Sequence, residues 1–204
     1  MIKRQFPILI ATFLVLIIMN SCASAETPLP TQTSIPPTEA APSTPTSQSF
    51  ELTSTEFIAG AAIPARYGCD GENISPPLAW STPPSGTQSF ALIMEDPDAV
   101  AVVGDVWDHW LLFNIPASTL ALREFISQLP ELSDGSRHGL NSSNVLGYSG
   151  PCPPSGQTHR YVFTLYAVDT VLQLPAGATK DQILQAINGH VLAQAELSGT
   201  YTSP

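Results

Sequence analysis

A mostly-β domain, a sandwich or barrel with minor helices, is predicted for this chain on three observations. Runs rich in β-branched and aromatic residues recur at 89–94, 110–115 and 161–168. Clusters of proline, glycine and asparagine separate them, at 68–73, 83–87 and 147–156. Such clusters favour tight turns and sit badly in regular elements. A convincing helix signature is confined to 179–188. Several short strands between turns, with few helices, point to an all-β architecture.

The N-terminal segment precedes that domain. Lys3 and Arg4 lead into an almost unbroken apolar run over 6–19 and then Asn20, Ser21 and Cys22. A basic start, a short apolar run and small residues describe an export signal over 1–21. Ser21-Cys22 reads as a lipoprotein cleavage site that leaves Cys22 lipidated, and Ala23-Ser24-Ala25 is the alternative site for plain secretion. Residues 22–49 are dominated by Pro, Ser and Thr. They bury too little apolar surface to offset ordering entropy, so an extended spacer is expected. The expected location is the cell envelope, on the extracytoplasmic side, tethered to a membrane through Cys22.

Residues 50–204 then have the length of one globular domain. Residues 50–54 alternate in β-prone character, and 74–80 is extended because each residue before a proline is pushed out of the helical region. The apolar strand 89–94 ends in Glu95, Asp96 and Asp98 around Pro97. A loop of small residues is expected over 99–105. The chain re-enters an apolar strand at 110 through His109, flanked by Trp107 and Trp110. Ser118 is a candidate cap for a helical turn over 119–126. Residues 132–147 are polar and irregular, and 161–168 is the most strand-like run. Thr179 and Gln182 form a capping-box pair ahead of Ile183, Leu184 and Ile187, and Asn188-Gly189 is a stop. Val191, Ala193, Ala195 and Leu197 alternate with Leu192, Gln194, Glu196 and Ser198, the period of a half-buried strand.

Charge narrows the function. The chain has 17 acidic and seven basic residues, a formal net charge of −10, and all the acidic residues lie beyond the signal. That argues against nucleic-acid binding and against adhesion to anionic lipid. With Cys22 assigned to the lipid, Cys69 and Cys152 remain as a pair in an oxidising compartment and are expected to be bonded; two reduced, buried thiols are the alternative. No Cys-x-x-Cys or His-x-x-x-His pattern occurs, so no zinc site and no cofactor is expected.

Three polar clusters interrupt apolar segments: Asp96 with Asp98, His109, and Tyr148 with His159. If the strand ends meet at one rim, two imidazoles, a carboxylate and a tyrosine converge, joined by backbone N–H groups from 147–150. That set suits a phosphate or carboxylate. Taken singly the members are ordinary. Asp-Pro-Asp is a common turn, Trp107 and Trp110 read as core, and His138 and His190 read as surface or capping residues. Asp96, His109 and His159 also suit a metal by residue type, and spacing leaves that open. A serine hydrolase would need a Gly-x-Ser-x-Gly elbow, which is absent; Ser149 is the nearest candidate. The expected activity is therefore binding rather than catalysis. A secreted protease inhibitor acting through loop surface is the alternative, and a hydrolase the third.

These clusters, in this order, resemble the phosphatidylethanolamine-binding protein family, in its bacterial Raf-kinase-inhibitor-like branch. The matching residues are 69–80 (Cys69-Asp70-Gly71-Glu72-Asn73 and onward), Asp96-Pro97-Asp98-Ala99, Trp107-Asp108-His109-Trp110, the loop 147–154, His159-Arg160-Tyr161 and the tail 189–201. The resemblance implies a sandwich of two antiparallel sheets with Greek-key features and a small anion pocket at one end. It implies that Asp96, His109 and His159 line that pocket, and that Tyr148, Gly150 and Pro151 form its wall. It also implies a phosphate-bearing ligand, lipid headgroups included. Val100 departs from the pattern, where the family has proline. Kinase inhibition does not follow for an exported protein.

Overall fold

The computed structural model describes residues 49–204. The expected export signal, Cys22 and the spacer through residue 48 lie outside the described residues. Among the described residues the strands are β1 (Leu52–Thr53), β2 (Leu78–Trp80), β3 (Ser89–Asp96), β4 (Trp107–Pro116), β5 (Ala121–Leu122), β6 (Arg137–His138), β7 (Thr158–Val168) and β8 (Val191–Thr202), with helices α1 (Val100–Val103) and α2 (Lys180–Ile187). They form a three-stranded sheet, β1-β2-β5, and a five-stranded sheet, β6-β4-β3-β7-β8. Every pairing is antiparallel. In the larger sheet β3, β4 and β6 lie side by side and β7 returns beside β3, the spatial order of a Greek key. The mostly-β, two-sheet architecture is as the sequence predicts.

The apolar runs of β3 and β4 are unbroken because both faces of these central strands are covered. Phe90, Leu92, Met94, Trp110 and Leu112 face the smaller sheet, in a core shared with Leu78, Trp80, Tyr161, Phe163 and Leu165. Ala91, Ile93, Leu111 and Phe113 face the other way, under Ile183 and Ile187 of α2. A strand buried on both faces carries no polar alternation.

α2 begins as expected. Thr179 Oγ1 accepts from the Gln182 N–H, and Gln182 Oε1 accepts from the Thr179 N–H. Lys180 Nζ then reaches Glu95 Oε1 at 2.7 Å and Asp108 Oδ1 at 2.6 Å, tying the helix to the rims of β3 and β4.

Three local expectations are corrected. Residues 119–126 hold no helical turn; β5 pairs instead with β2, Leu78 opposite Leu122. A one-turn helix is marginal by itself, whereas β5 satisfies an open sheet edge and buries Leu122 in the inter-sheet core. Residues 99–105 are not an irregular loop. A 3-10 turn, Pro97–Ala99, runs into α1, and Gly104 ends it with φ +84°. Asp96 Oδ1 caps this turn by accepting from the N–H groups of Asp98 and Ala99, and Pro97 presets the entering φ. His138 is not a surface residue. β6 pairs with β4 and buries it, where Trp110 Nε1–H donates to its Nδ1 and its Nε2–H donates to the Ser127 carbonyl.

Candidate functional site

Backbone register builds the site. Along β3, Met94 and Asp96 lie on one face, toward the inter-sheet core, while Glu95 turns away to Lys180. His159 and Tyr161 of β7 share the core-facing side with Phe163 and Leu165. β4 would break this pattern if it were regular, because neighbours in a strand point to opposite faces. It contains a bulge here: Met94 pairs with Trp110, but Glu95 pairs with Asp108. His109 is the extra residue. The bulge lets Asp108 meet Lys180 behind the sheet, while His109 and Trp110 both turn to the core side, His109 edge-on to Tyr161 at 5.2 Å between ring centroids. Bulges commonly re-aim a side chain in this way at a site.

The result is a cavity of about 550 Å³ at one end of the sandwich. Asp96, His109, His159, Asn73, Ser149, Gly150 and the Cys69–Cys152 disulfide line it, together with Ala99, Val102, Val103, Trp107, Pro153 and Pro154. The volume falls in the range of small-ligand pockets.

The polar groups are tightly oriented. His159 Nδ1–H donates to Asp96 Oδ2 at 2.7 Å, and both side chains are buried. Asp96 Oδ1 is occupied by the two N–H groups of the following turn. Its charge therefore orients His159 and the turn rather than standing free in the cavity. His109 Nδ1 lies 2.8 Å from the Ser149 carbonyl oxygen, which can only accept, so Nδ1 carries the proton and Nε2 is left for the cavity. Burial pushes the His109 pKa down; the Ser149 carbonyl and the Asp96 charge pull the other way without reversing the shift. Tyr161 is fully buried, and its hydroxyl has no hydrogen-bond partner among the described residues. Burial first, then the nearby Asp96 charge, holds its pKa above the ordinary phenol value.

Of the residues singled out in the sequence, Asp96, His109, His159 and Gly150 come together on the cavity. Two others do not. Tyr148 turns inward: its ring packs edge-on against Trp110 at 5.6 Å and its hydroxyl donates to the Tyr67 carbonyl. Pro151 lies behind the wall, where its carbonyl accepts from the Cys69 N–H. Loop N–H groups expected to face a ligand are already engaged, Ser149 N–H with the His109 carbonyl and Gly150 N–H with Asn73 Oδ1. Asp98 is exposed and accepts from the Arg160 N–H, which ties the turn to β7. Ser149 Oγ accepts from Asn141, and His109 addresses the Ser149 carbonyl rather than its hydroxyl. That leaves the hydrolase reading without its activated serine. Among the described residues no three His, Cys, Asp or Glu side chains group closely enough to hold a metal ion.

Sequence reasoning missed Asn141 and Tyr161. Buried Asn141 donates to the carbonyls of His109 and Gly147 and to Ser149 Oγ, and accepts from the N–H groups of Ser143 and Val145. It fastens the loop 141–149 to the bulge that carries His109. Asparagine in a polar loop gives no local sign of such a role. Tyr161 follows His159 at the two-residue spacing that puts both on one strand face, which was the available signal.

The chain is thus a two-sheet β-sandwich whose core opens at one end onto a buried Asp–His pair and a second histidine. The phosphatidylethanolamine-binding protein model matches residues 53–202, and the chain belongs to that family. A Methanothermobacter thermautotrophicus protein named "UPF0098 protein" is 55% identical over 139 residues, covering 68% of this chain and 89% of that one. The Mycobacterium tuberculosis protein named "Putative lipoprotein LppC" is 37% identical over 206 residues, covering 97% of this chain and 96% of that one. Among solved structures, E. coli YbcL, titled a member of the mammalian PEBP family, matches with a TM-score of 0.70 at 30% identity, covering 77% of this chain and 100% of that one.

Proposed function

We propose that this chain is an exported lipoprotein whose domain, residues 50–204, binds a small phosphate-bearing or other anionic ligand at the cavity formed by Asp96, His109 and His159. A signal over 1–21, a lipidated Cys22 and the spacer 22–49 would hold the domain off a membrane surface. The relative named as a lipoprotein aligns over 97% of this chain, which supports the tether. A free anion and a lipid headgroup share the chemistry this cavity offers.

The observation that carries the reading is the pair of oriented imidazoles. Each ring is held through Nδ1, by Asp96 for His159 and by the Ser149 carbonyl for His109, so Nε2 is the atom each turns to a ligand; that of His159 also lies 3.4 Å from Gln157 Oε1, a long contact that an anion would replace. An incoming anion needs a donor there, so binding takes up a proton at His109, which burial otherwise keeps neutral. Affinity therefore rises as pH falls. Isothermal titration with inorganic phosphate and with phosphoethanolamine at pH 6 and pH 8 tests this. Tighter binding at pH 6 is expected, and His109→Ala should weaken it about ten- to a hundredfold, the worth of a hydrogen bond to a charged group. No heat from either ligand at pH 6 sinks the proposal. Mass spectrometry of the mature N-terminus tests the anchor: a lipid-modified Cys22 supports it, and a chain beginning at Glu26 does not.

A further inference from the structure

The bulge that brings His109 to the cavity also sets two like charges side by side. Met94 pairs with Trp110, so a regular ladder would continue with Glu95 opposite His109 and Asp96 opposite Asp108. The pairs formed instead are Glu95 with Asp108 and Asp96 with Trp107. Carboxylates directly opposite each other on neighbouring strands repel. One cation from outside the sheet offsets that repulsion. Lys180 Nζ lies 2.7 Å from Glu95 Oε1 and 2.6 Å from Asp108 Oδ1, on a side chain only 18% exposed. So enclosed an ion pair is screened far less than a surface one. Lys180 is the first residue of α2, where a cation opposes the helix dipole, so its charge is no help to its own helix. In the regular register His109 would share the face of Glu95 and leave the cavity.

We infer that Lys180 is a positioning residue for His109: by joining Glu95 to Asp108 it selects the bulged register of β3 and β4, and that register turns the imidazole into the cavity. This rests on His109 meeting the ligand, as proposed above, and adds what places it there. Each carboxylate precedes a site residue in sequence, Glu95 before Asp96 and Asp108 before His109. Neither carboxylate lines the cavity, and neither does Lys180; the three meet on the opposite face of the sheet, so α2 fixes both strands from behind. Ser142 holds the same point of the chain. Its Oγ accepts from the Asp108 N–H and its own N–H donates to the Asp108 carbonyl. The loop thus clamps the backbone of Asp108, and α2 clamps its side chain.

The test begins without ligand. In the full chain labelled with nitrogen-15 histidine, the Nδ1–H of His109 is identified by its loss in His109→Ala. It should exchange slowly with water, because the Ser149 carbonyl holds it. Lys180→Met should speed that exchange about tenfold, a usual coupling within one ion-pair network. Lys180→Arg keeps the cation and should leave the exchange slow. Adding Glu95→Gln to Lys180→Met removes the repulsion and should slow it again. Ile183→Ala loosens α2 from the sheet but keeps the cation, so it should lower the Tm without moving the His109 signal. Thermal melts check that each variant is folded; should Lys180→Met not fold, Lys180→Gln takes its place with the same expectation. Inorganic phosphate at pH 6 should bind Lys180→Met about tenfold more weakly, and Lys180→Met should add nothing in a His109→Ala background. An unchanged His109 exchange rate in the folded neutral variant overturns the inference, and so does an Ile183→Ala variant that reproduces its effect. If the exchange responds as expected but wild type binds no phosphate, the anion reading fails and the placement of His109 by Lys180 stands.

Discussion

Cutting the Cys69–Cys152 bond should destabilise the domain severely, and the size of the effect follows from its place in the chain. The cysteines are 83 residues apart, with their Cα atoms 5.4 Å apart in the fold. Closing a loop of 83 residues removes about 15 cal/mol/K from the unfolded chain, or about 4.5 kcal/mol at 25 °C. Both cysteines are exposed, so serine replacements leave solvated hydroxyls and orphan no buried group. The Cys69→Ser/Cys152→Ser variant therefore reports the cross-link itself. Urea unfolding followed by tryptophan fluorescence should show a loss of about 3–5 kcal/mol. The Tm should fall by about 6–20 °C, at roughly 2–4 °C per kcal/mol for a domain of this size. Wild type in reductant should behave like the variant, and the slope with urea should rise because the uncrosslinked unfolded chain exposes more surface. A variant within about 1 kcal/mol of oxidised wild type, against the 2–5 kcal/mol usual for a native disulfide, would refute the reasoning.

Three more predictions follow from buried groups. His109 and His138 both have pKa values lowered from 6.5, first of all by burial. The unfolded chain then binds more protons than the folded one at mildly acid pH. Stability is fully present above about pH 6.5 and is lost as pH falls below it, by at most about 1.4 kcal/mol per pH unit for each histidine. Urea midpoints at pH 7.5, 6.5 and 5.5 should show this fall, with a shallower slope in His138→Gln. A Cβ at Gly150 would lie 2.1 Å from the Tyr67 carbonyl oxygen and 2.8 Å from Asn73 Oδ1. Gly150→Ala should cost about 1–3 kcal/mol by thermal melt, and an unchanged Tm would mean the loop yields freely. Asn141→Ala strands the Gly147 carbonyl and the N–H groups of Ser143 and Val145, and the loss should be about 1–3 kcal/mol. Faster amide exchange at Ser143 and Val145, which lose their acceptor, is the accompanying sign.

Much of the architecture could be read along the chain. The apolar runs of β3, β4 and β7 are visible because these strands are covered on both faces, or nearly so. α2 is visible because Thr179 and Gln182 cap each other within one turn. β5 was misread because its two residues carry no pattern of their own; the open edge of β2 and a space for Leu122 make them a strand. His138 was misread because a histidine in a Ser/Gly-rich stretch looks exposed until β6 pairs it against Trp110. Tyr148 and Pro151 lie in the right loop but face away from the cavity, and loop sequence does not specify which way a ring turns.

The candidate site divides along the same line. The residue types at the ends of the strands were apparent in the chain itself, since an Asp-Pro-Asp turn, a Trp-flanked histidine and a His-Arg-Tyr run are local and their side chains are named by position. Their assembly depends on contacts between residues far apart in the chain. A one-residue bulge opposite Met94 and Glu95 brings His109 to the core side. Asn141, more than thirty residues later, holds that bulge and its loop together. Register between strands is set by cooperative pairing and by packing on both faces of the sheet, and these energies belong to the folded whole. No window of sequence contains them.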